Sequence, residues 1–499
     1  MFPYKTSILL DRSLKESLYL QLANQFIVLI KDGKLPPNTK LLGSRTLASL
    51  LFIHRKTVVA CYEELDLQGW VISVPKKGTF VHANIPILKR RDFDKDNTPY
   101  NNVSSGFHFY SNDCLIRKPI SSNSNFMFLN DGICDVSLAP IQEITRIYRQ
   151  IASKKSTLPH LSYGSTYGNL ILRDVLVNYL NKTRGLHISI DNIIITRGSQ
   201  MGIFLASHLL LKKDDIVLIG DTNYISANVS FEFQNANLIH IPVDNDGLVT
   251  DEIEALCKFK KIKAVFVTSH HHHPTTVTLS ANRRIHLLNL AKTYNFAIIE
   301  DDYDYDFNYN HAPILPLASH DTNGNVIYIG SFCKTVAPAF RIGYLIASKD
   351  FIDSAANLRR IIDRQGDALL ELTFANFIKY GGLDRHIKKV LKIYKARRDL
   401  FCNLLTNGLS DFFSFQIPNG GMAIWVTLSN KYSWHSVANT ALKYSLDIGD
   451  WQRYDSANTK HNSIRMGFAN YSIDEIHLLI DRLISTMNEV SLIPDFRKF

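Results

Sequence analysis

The sequence predicts an α/β chain with a small helical unit in front of it, and three patterns support this fold class. After about residue 131, short apolar runs of strand length alternate with longer segments of helical period. Runs of this kind are typical of a mostly parallel sheet covered on both faces. Before residue 82, apolar residues recur at helical spacing, and two short strand-like runs follow them. Between these regions neither period is sustained, which indicates a linker.

Size and composition favour a globular protein of several domains. The chain has 499 residues, of which 45% are hydrophobic, and this length is too great for a single core. No apolar run reaches the roughly 18 residues that cross a bilayer, and residues 1–13 lack the pattern of a secretory signal. The six cysteines form no CxxC pair, so neither zinc nor a disulfide framework is expected. We therefore expect a soluble protein of a reducing cytoplasm, with no membrane partner and no metal.

Residues 1–82 have the pattern of a winged helix-turn-helix. A helix from Leu18 stops at Gly33, Ser44 is expected to cap a second helix, and a third begins at Arg55. The second helix is predicted over residues 45–51, and the strands of a hairpin over residues 70–74 and 79–82. Basic side chains at helix starts and at the hairpin tip suit contacts with phosphates and base edges. The candidate DNA-binding residues are Arg45, Arg55, Lys56, Thr57, Lys76 and Lys77. The alternative is a solvated basic face; the net charge of +10 is compatible with a polyanionic partner.

The remainder divides into a linker, a large domain and a smaller α+β domain. The linker is placed at residues 83–130, the large domain at 131–350 and the smaller domain at 351–499. Predicted strands of the large domain are residues 193–196, 216–219, 238–241, 264–268, 296–299, 326–329 and 343–347. The smaller domain is predicted to contain helices at 351–364, 369–380 and 383–405, strands at 423–428 and 463–468, and a last helix from Asp474.

A single lysine after one of these strands suggests a covalent cofactor. Lys334 lies three residues after Ser331 and seven before Arg341. Lysine forms a Schiff base with a carbonyl, and a hydroxyl and a guanidinium can hold a phosphate dianion. The pattern therefore favours pyridoxal 5′-phosphate, although a lysine near an arginine is more often simply solvated.

Two other strand ends supply groups that fit the same guest. Ligands of open α/β sheets bind beyond the carboxyl ends of strands. A polar turn that includes Ser199 and Gln200 opens a helix there, and a second strand leads into residues 300–306. Asp301 is predicted to face the pyridine nitrogen and Tyr303 the ring hydroxyl. The alternative for this acidic stretch is a solvated loop or a metal site.

The motifs resemble two known families. The segments LYLQL, GSRTLASLL, HRKTVVACYEEL and GWVISVPKKGTFV follow the motif order of the GntR winged-helix domain. The segments YGSTYGNLILRDVL, ITRGSQMGI, IIEDDYDYDF, GSFCKTVAPAFRIGY and SIRMGFA resemble a fold type I, aspartate aminotransferase-like transferase that depends on pyridoxal phosphate. Together they are similar to the MocR subfamily of GntR regulators.

The resemblance implies a role for each matching residue. Lys334 is the lysine that forms the Schiff base, and Arg465 receives a substrate or effector carboxylate. The residues implied to contact the cofactor are Asp301, Tyr303, Ser199, Gln200, Tyr224, Ser331, Arg341 and His272.

The chain departs from the family pattern in residues 270–276. His272 stands where the family usually has glutamine, and Thr276 replaces a glycine. Because the freedom of glycine at positive φ is lost, this loop is expected to take a different path. In the first domain, His54 replaces a serine that caps a helix.

The resemblance implies a homodimeric regulator that binds double-stranded promoter DNA and senses pyridoxal phosphate, an amine or an amino acid. On this interpretation the chain is not primarily an enzyme. The alternatives are an aminotransferase with an appended DNA-binding domain, and a scaffold that has lost the cofactor.

Overall fold

The computed structural model describes residues 2–14, 16–85, 105, 108, 110, 126–309, 314–455 and 460–492. The chain divides into two compact units, Met1–Phe109 and Tyr110–Phe499. Most of the predicted linker, residues 83–130, lies outside the described residues. No helix in the described part of the chain is long and apolar enough to cross a membrane.

The first unit is a helical cluster with an antiparallel hairpin. Its elements are α1 (Tyr4–Ser7), α2 (Leu18–Lys31), α3 (Ser44–Leu50), α4 (Arg55–Leu67), β1 (Val71–Val74) and β2 (Gly78–Val81). Apolar side chains of α2, α3 and α4 meet the inward face of the hairpin in one core, in which Leu22, Phe26 and Leu65 are fully buried. This is the predicted winged helix-turn-helix architecture.

Two helix starts in this unit differ from simple expectation. Ser44 is the first residue of α3 and Gly43 is its cap, with no side-chain capping bond, so the prediction that Ser44 caps the helix is wrong. His54, by contrast, caps α4, because its Nδ1 accepts a hydrogen bond from the Lys56 backbone N–H at 3.2 Å. An imidazole nitrogen therefore satisfies one of the free amides that a serine oxygen usually satisfies.

The second unit alternates strands and helices along most of its length. Its helices are α5 (Ile141–Ala152), α6 (Leu170–Arg184), α7 (Ser199–Leu210), α8 (Ile225–Glu232), α9 (Thr250–Cys257), α10 (Ala281–Tyr294), α11 (Lys349–Ile362), α12 (Ala368–Lys379), α13 (Gly382–Leu409), α14 (Trp434–Lys443) and α15 (Ile473–Leu492). Short 3₁₀ helices lie at Val136–Leu138, Lys155–Leu161, Ile190–Asn192, Leu317–His320, Pro338–Phe340 and Trp451–Tyr454.

The strands of this unit form one large sheet and several small ones. They are β3 (Met127–Phe128), β4 (Ile193–Thr196), β5 (Ile216–Gly220), β6 (Asn237–Ile241), β7 (Val243–Asp244), β8 (Gly247–Leu248), β9 (Ile262–Val267), β10 (Ala297–Asp302), β11 (Val326–Ser331), β12 (Gly343–Ile346), β13 (Phe413–Phe415), β14 (Ala423–Leu428), β15 (Leu446–Asp447) and β16 (Ser463–Gly467). The large sheet has seven strands in the order β4-β12-β11-β10-β9-β5-β6. All its pairings are parallel except those of β12.

Successive side chains of each strand enter different cores. Ile193 and Ile195 of β4 pack on one face, together with α5, α6 and α12, whereas Ile194 packs on the other face with α7, α8 and α11. Both faces are therefore apolar, which explains why these strands appear as continuous apolar runs. The predicted mostly parallel sheet is confirmed.

The C-terminal part of the unit is a smaller α+β layer. Its antiparallel sheet has the order β13-β14-β16, and α13, α14 and α15 pack against it in a third core. The last residues of the predicted linker join this layer, because β3 pairs in parallel with β15.

The strand β10 extends further than predicted. β10 continues through Glu300, Asp301 and Asp302, since Asp301 and Asp302 pair with Ile329 and Gly330 of β11. The prediction ended this strand at Ile299, where the apolar run stops; carboxylates are rarely found in a sheet interior. Tertiary burial overrides that preference, and all three carboxylates lie inside the fold.

Candidate functional site

A cavity of about 440 Å³ opens in the second unit at the carboxyl ends of the sheet strands. Most of the site residues predicted for the second unit line it. They are Ser199, Gln200, Tyr224, Asp301, Tyr303, Ser331, Lys334, Arg341 and Arg465. These residues come from β10, β11, β16 and the loops or helix starts that follow β4, β5, β10 and β11. The topology of the sheet thus brings together groups that are widely separated in sequence.

One end of the cavity is built to hold an anion. Ser199 and Gln200 begin α7, whose first backbone N–H groups have no partner within the helix. Gly198 precedes them at φ +78°, and a Cβ at this position would lie 2.9 Å from Arg341 Nη2. Glycine is therefore required for the guanidinium to approach the helix start, where Nη2 donates to the Arg197 carbonyl at 2.7 Å. Ser331 completes this end of the cavity.

Asp301 is a buried carboxylate that lacks a hydrogen-bond partner. Its side chain is 2% exposed, and Oδ1 has no partner among the described residues. Burial and the neighbouring charges of Asp302 and Asp304 raise the pKa of Asp301 to about 8. A buried acceptor without a donor is costly, so this carboxylate requires a ligand that brings an N–H group or a positive charge.

Lys334 and Tyr303 supply an amine and a phenol to the same cavity. Lys334 Nζ donates to the Gly132 carbonyl at 2.8 Å. The hydroxyl of Tyr303 donates to the His271 carbonyl at 2.9 Å. Burial, followed by the charge of Asp304, raises the pKa of Tyr303 well above its usual value, so the phenol stays protonated and can act as a donor.

Arg465 lies on β16 and reaches across to the large sheet. Nε donates to the Asp131 carbonyl at 2.8 Å, and Nη1 donates to the Pro274 carbonyl at 3.0 Å. Nη2 lies 3.4 Å from the hydroxyl of Tyr303. None of the described carboxylates forms an ion pair with Arg465. The buried guanidinium is therefore held by neutral acceptors, so its positive charge is available to a ligand carboxylate.

The histidine that lines the cavity is not the predicted one. His272 is buried but does not line the wall; its Nδ1 lies 3.1 Å from the hydroxyl of Thr275. The next residue, His273, lies on the wall with its ring 5.5 Å from that of Tyr224. Burial lowers the pKa of His273 to about 4, against the opposing effect of Asp131, so the imidazole is neutral near pH 7. Alignment with a motif could not decide which of four adjacent histidines faces inward.

Thr276 accommodates its substitution for glycine by adopting the conformation that a glycine would adopt freely. Its φ is +65°, which lies in the left-handed region that β-branched residues rarely enter. Its backbone N–H donates to the His272 carbonyl at 2.7 Å, which closes the loop. Thr276 therefore keeps a positive φ in spite of its side chain, and the loop carries backbone strain.

Sequence reasoning missed Asp131 as a residue of the cavity. It lies at the boundary between the predicted linker and the large domain, in a stretch with no clear period. No group of three or more His, Cys, Asp or Glu side chains is placed to hold a metal ion within the described residues.

The predicted DNA-binding residues lie on the surface of the first unit. Arg45, Arg55, Lys56, Lys76 and Lys77 are exposed, and Thr57 is partly exposed. Arg55 and Lys56 begin α4, and Lys76 and Lys77 lie in the turn between β1 and β2. The cations of this unit are thus available to a polyanion at a helix start and at the hairpin tip.

Comparison with known proteins defines the class of the second unit. Residues 127–483 match the model of the family "Aminotransferase class I and II". A kynurenine aminotransferase of Pyrococcus horikoshii, solved in complex with PMP, is 30% identical with a TM-score of 0.69; the similarity covers 74% of this chain and 93% of that one. The chain belongs to the class I and II aminotransferase family, and its cofactor is pyridoxal 5′-phosphate.

Comparison over nearly the whole chain adds the first unit. The HTH-type transcriptional regulator YdfD of Bacillus subtilis is 27% identical over 460 residues, which are 92% of this chain and 94% of the relative. NorG, an HTH-type transcriptional regulator of Staphylococcus aureus, is 27% identical over 461 residues, which are 92% of this chain and all of the relative. The two-module organisation is that of the MocR subfamily of GntR regulators.

The cavity fits this cofactor on the evidence of its own residues. The unpartnered carboxylate of Asp301 suits a protonated ring nitrogen, and the glycine-lined cradle beside Arg341 suits a phosphate. Lys334 is a primary amine on the same wall.

We expect Thr276→Gly to raise the free energy of unfolding by about 1 kcal/mol, because relief of left-handed strain exceeds the added chain entropy. Denaturant unfolding of the full chain measures the change. Thr278→Gly is the matched control: Thr278 does not have a positive φ, and its substitution should destabilise the protein by about 1 kcal/mol. A loss of stability in both variants would contradict the presence of backbone strain at Thr276.

We expect the cofactor-free protein to lose stability as pH rises between about 4 and about 8, because folding raises the pKa of Asp301. Over this range the unfolded chain has released the proton that the folded state still holds. Asp301→Asn should reduce the loss, as measured by denaturant unfolding at about pH 5 and about pH 8. Asp174 is exposed, so the control Asp174→Asn should show the same pH dependence of stability as the wild type. A pH dependence of Asp301→Asn identical to that of the wild type would contradict its assignment to Asp301.

Proposed function

We propose that the chain is a transcriptional regulator whose first unit binds promoter DNA and whose second unit senses pyridoxal 5′-phosphate, an amino compound, or both. The observation that carries this proposal is the presence, in one chain, of an exposed basic winged helix and a cavity with an unpartnered buried carboxylate. The relatives named as HTH-type regulators support it, because the similarity extends over both units. We infer that the protein acts in the bacterial cytoplasm, where promoter DNA is found.

In the DNA-binding half, we assign recognition to α4. As the second helix of a helix-turn-helix, α4 would enter the major groove with its first residues towards the bases. Arg55, Lys56 and Thr57 occupy that position, and Arg45 near the start of α3 would contact the backbone. The tip of the hairpin, with Lys76 and Lys77, would meet phosphates of an adjacent groove.

In the sensing half, we assign each wall of the cavity to one part of the cofactor. The cofactor supplies an aldehyde that condenses with primary amines. Asp301 would hold a proton on the ring nitrogen, Tyr303 would donate to the ring hydroxyl, Tyr224 would stack on the ring, and Lys334 would provide the amine of the protein. The α7 start, Ser331 and Arg341 hold the phosphate.

Arg465 makes this cavity suitable as a switch. It belongs to the smaller sheet, yet it bonds to carbonyls of Asp131 and Pro274 outside that sheet. We propose that an effector carboxylate would bind the Arg465 guanidinium and compete with these carbonyls. The effector amine would take the place of the Lys334 amine on the cofactor aldehyde. Such binding shifts the conformation only if two arrangements of the smaller layer bind the effector with different affinity.

The second candidate is an aminotransferase with an appended DNA-binding domain. All the predicted cofactor residues except His272 line one cavity, which favours this candidate, as does 30% identity to a solved aminotransferase. Sustained conversion of an amino acid and a keto-acid acceptor by the purified chain would support this candidate over a sensor without turnover.

We further propose that the protein is a homodimer. Exposed apolar side chains cluster around the contact between Tyr163 and Arg364, whose guanidinium lies 4.4 Å from the tyrosine ring. The exposed side chains near it are Leu158, Leu161, Ile361 and Ile362. Exposed apolar groups of this extent mark interfaces. A sedimentation mass equal to one chain would contradict the dimer.

We expect Lys334→Ala to abolish the visible absorbance of bound pyridoxal phosphate and the response of DNA binding to amines. The reason is that no other primary amine of the described chain lines the cavity. Absorbance titration and mobility shift on the protein's own upstream region measure the two effects. A variant that keeps both the absorbance and the amine response would contradict the assignment of Lys334.

We expect Arg55→Ala to weaken promoter binding about tenfold or more, because it removes a cation at the start of α4. Fluorescence anisotropy over a range of salt concentrations should also show a shallower salt dependence for the variant. The exposed Lys379, at the end of α12 in the second unit, supplies the control Lys379→Ala. Equal affinities of Arg55→Ala and the wild type would refute the assignment of α4.

A further inference from the structure

The turn formed by Asp131 and Gly132 touches both groups that would bind an amino acid. The Gly132 carbonyl accepts the hydrogen bond of Lys334 Nζ at 2.8 Å, and the Asp131 carbonyl accepts that of Arg465 Nε at 2.8 Å. Gly132 has φ +102°, and a Cβ there would lie 3.5 Å from Arg465 Nε. The turn therefore lies directly between the amine and the carboxylate anchors.

The side chain of Asp131 adds a negative charge at this point. Asp131 lines the cavity, and its side chain is 31% exposed. Oδ2 lies 3.0 Å from Arg453 Nη2 and 3.7 Å from His273 Nε2. Although burial acts in the opposite direction, His273 and Arg453 hold the pKa of Asp131 well below its usual range. Both contacts use Oδ2, which leaves Oδ1 as an acceptor for a ligand.

The charges around the cavity set a limit on the ligand. Arg453 is balanced by Asp131, whereas Arg465 has no carboxylate partner among the described residues. One ligand carboxylate would neutralise Arg465. A second carboxylate on the same small molecule would meet the ionised Asp131, and like charges in a partly buried site repel strongly.

We infer that Asp131 selects the effector class: amino monocarboxylates whose side chain carries an N–H donor bind, and amino dicarboxylates are rejected. This inference rests on the proposed function, in which Lys334 and Arg465 receive the effector. Oδ1 of Asp131 accepts the side-chain donor, which is an ammonium or a carboxamide. Asp131 is thus a specificity-determining residue and not only the partner of Arg453.

The test compares L-glutamate with L-glutamine and L-ornithine on the full chain loaded with pyridoxal phosphate. Glutamate and glutamine have the same shape and differ in one carboxylate. Absorbance of the bound cofactor measures each apparent Kd. Wild-type protein should bind glutamine and ornithine at least about tenfold more tightly than glutamate. Equal binding, or a preference for glutamate, would overturn the inference without any variant.

Asp131→Asn keeps the shape of the side chain and removes its charge. This variant should reduce the ratio of the glutamate Kd to the glutamine Kd by at least about tenfold, whereas Asp174→Asn should leave this ratio unchanged. An unaltered ratio in Asp131→Asn protein that still binds the cofactor would also overturn the inference. If neither these three amino acids nor any other amine perturbs the wild-type spectrum, both the sensing of amines and the role of Asp131 are refuted. If the spectrum responds equally to glutamate and glutamine, only the role of Asp131 is refuted.

Discussion

Three consecutive carboxylates at the end of β10 are buried, and the way each one is satisfied organises the second unit. Glu300 accepts hydrogen bonds from the backbone N–H groups of Leu317 and Ala318 at 2.9 and 3.0 Å. Asp302 pairs with His270 at 2.9 Å and with Tyr328 at 2.7 Å. Asp301, between them, has an oxygen with no partner. A chain that buries this acidic group without a partner retains a site whose electrostatics are completed by a ligand.

This constraint links the fold to its chemistry. β10 places the carboxylates in alternate directions, so Asp301 faces the cavity while its neighbours face protein donors. Burial, and after it the acidic surroundings, raises the pKa of Asp301 and keeps the nearby phenol of Tyr303 protonated. The same surroundings that destabilise an isolated carboxylate therefore favour a protonated ring nitrogen beside it.

The smaller layer contributes to the site through the long side chain of Arg465. Arg465 extends from β16 to the carbonyls of Asp131 and Pro274, so one guanidinium ties the smaller sheet to the turn beside Lys334 and to the histidine loop. The loop is strained at Thr276, and the turn requires glycine at position 132. Strain and close approach are concentrated where a small ligand would compete with backbone carbonyls, as is common at functional sites.

The sequence by itself determined the class of each unit, the strands of the large sheet and most of the cavity, because hydrophobic period and motif order are local properties of the chain. It could not show that β10 continues through its acidic residues, since that depends on pairing with β11. It also could not choose between His272 and His273, whose directions are set by the closure of their loop. Only the tertiary structure decided that Asp131 stands beside Arg465, 334 residues further along the chain, and that Asp301 is left without a partner. Proximity and unsatisfied burial arise from packing between distant segments, and no local pattern encodes them.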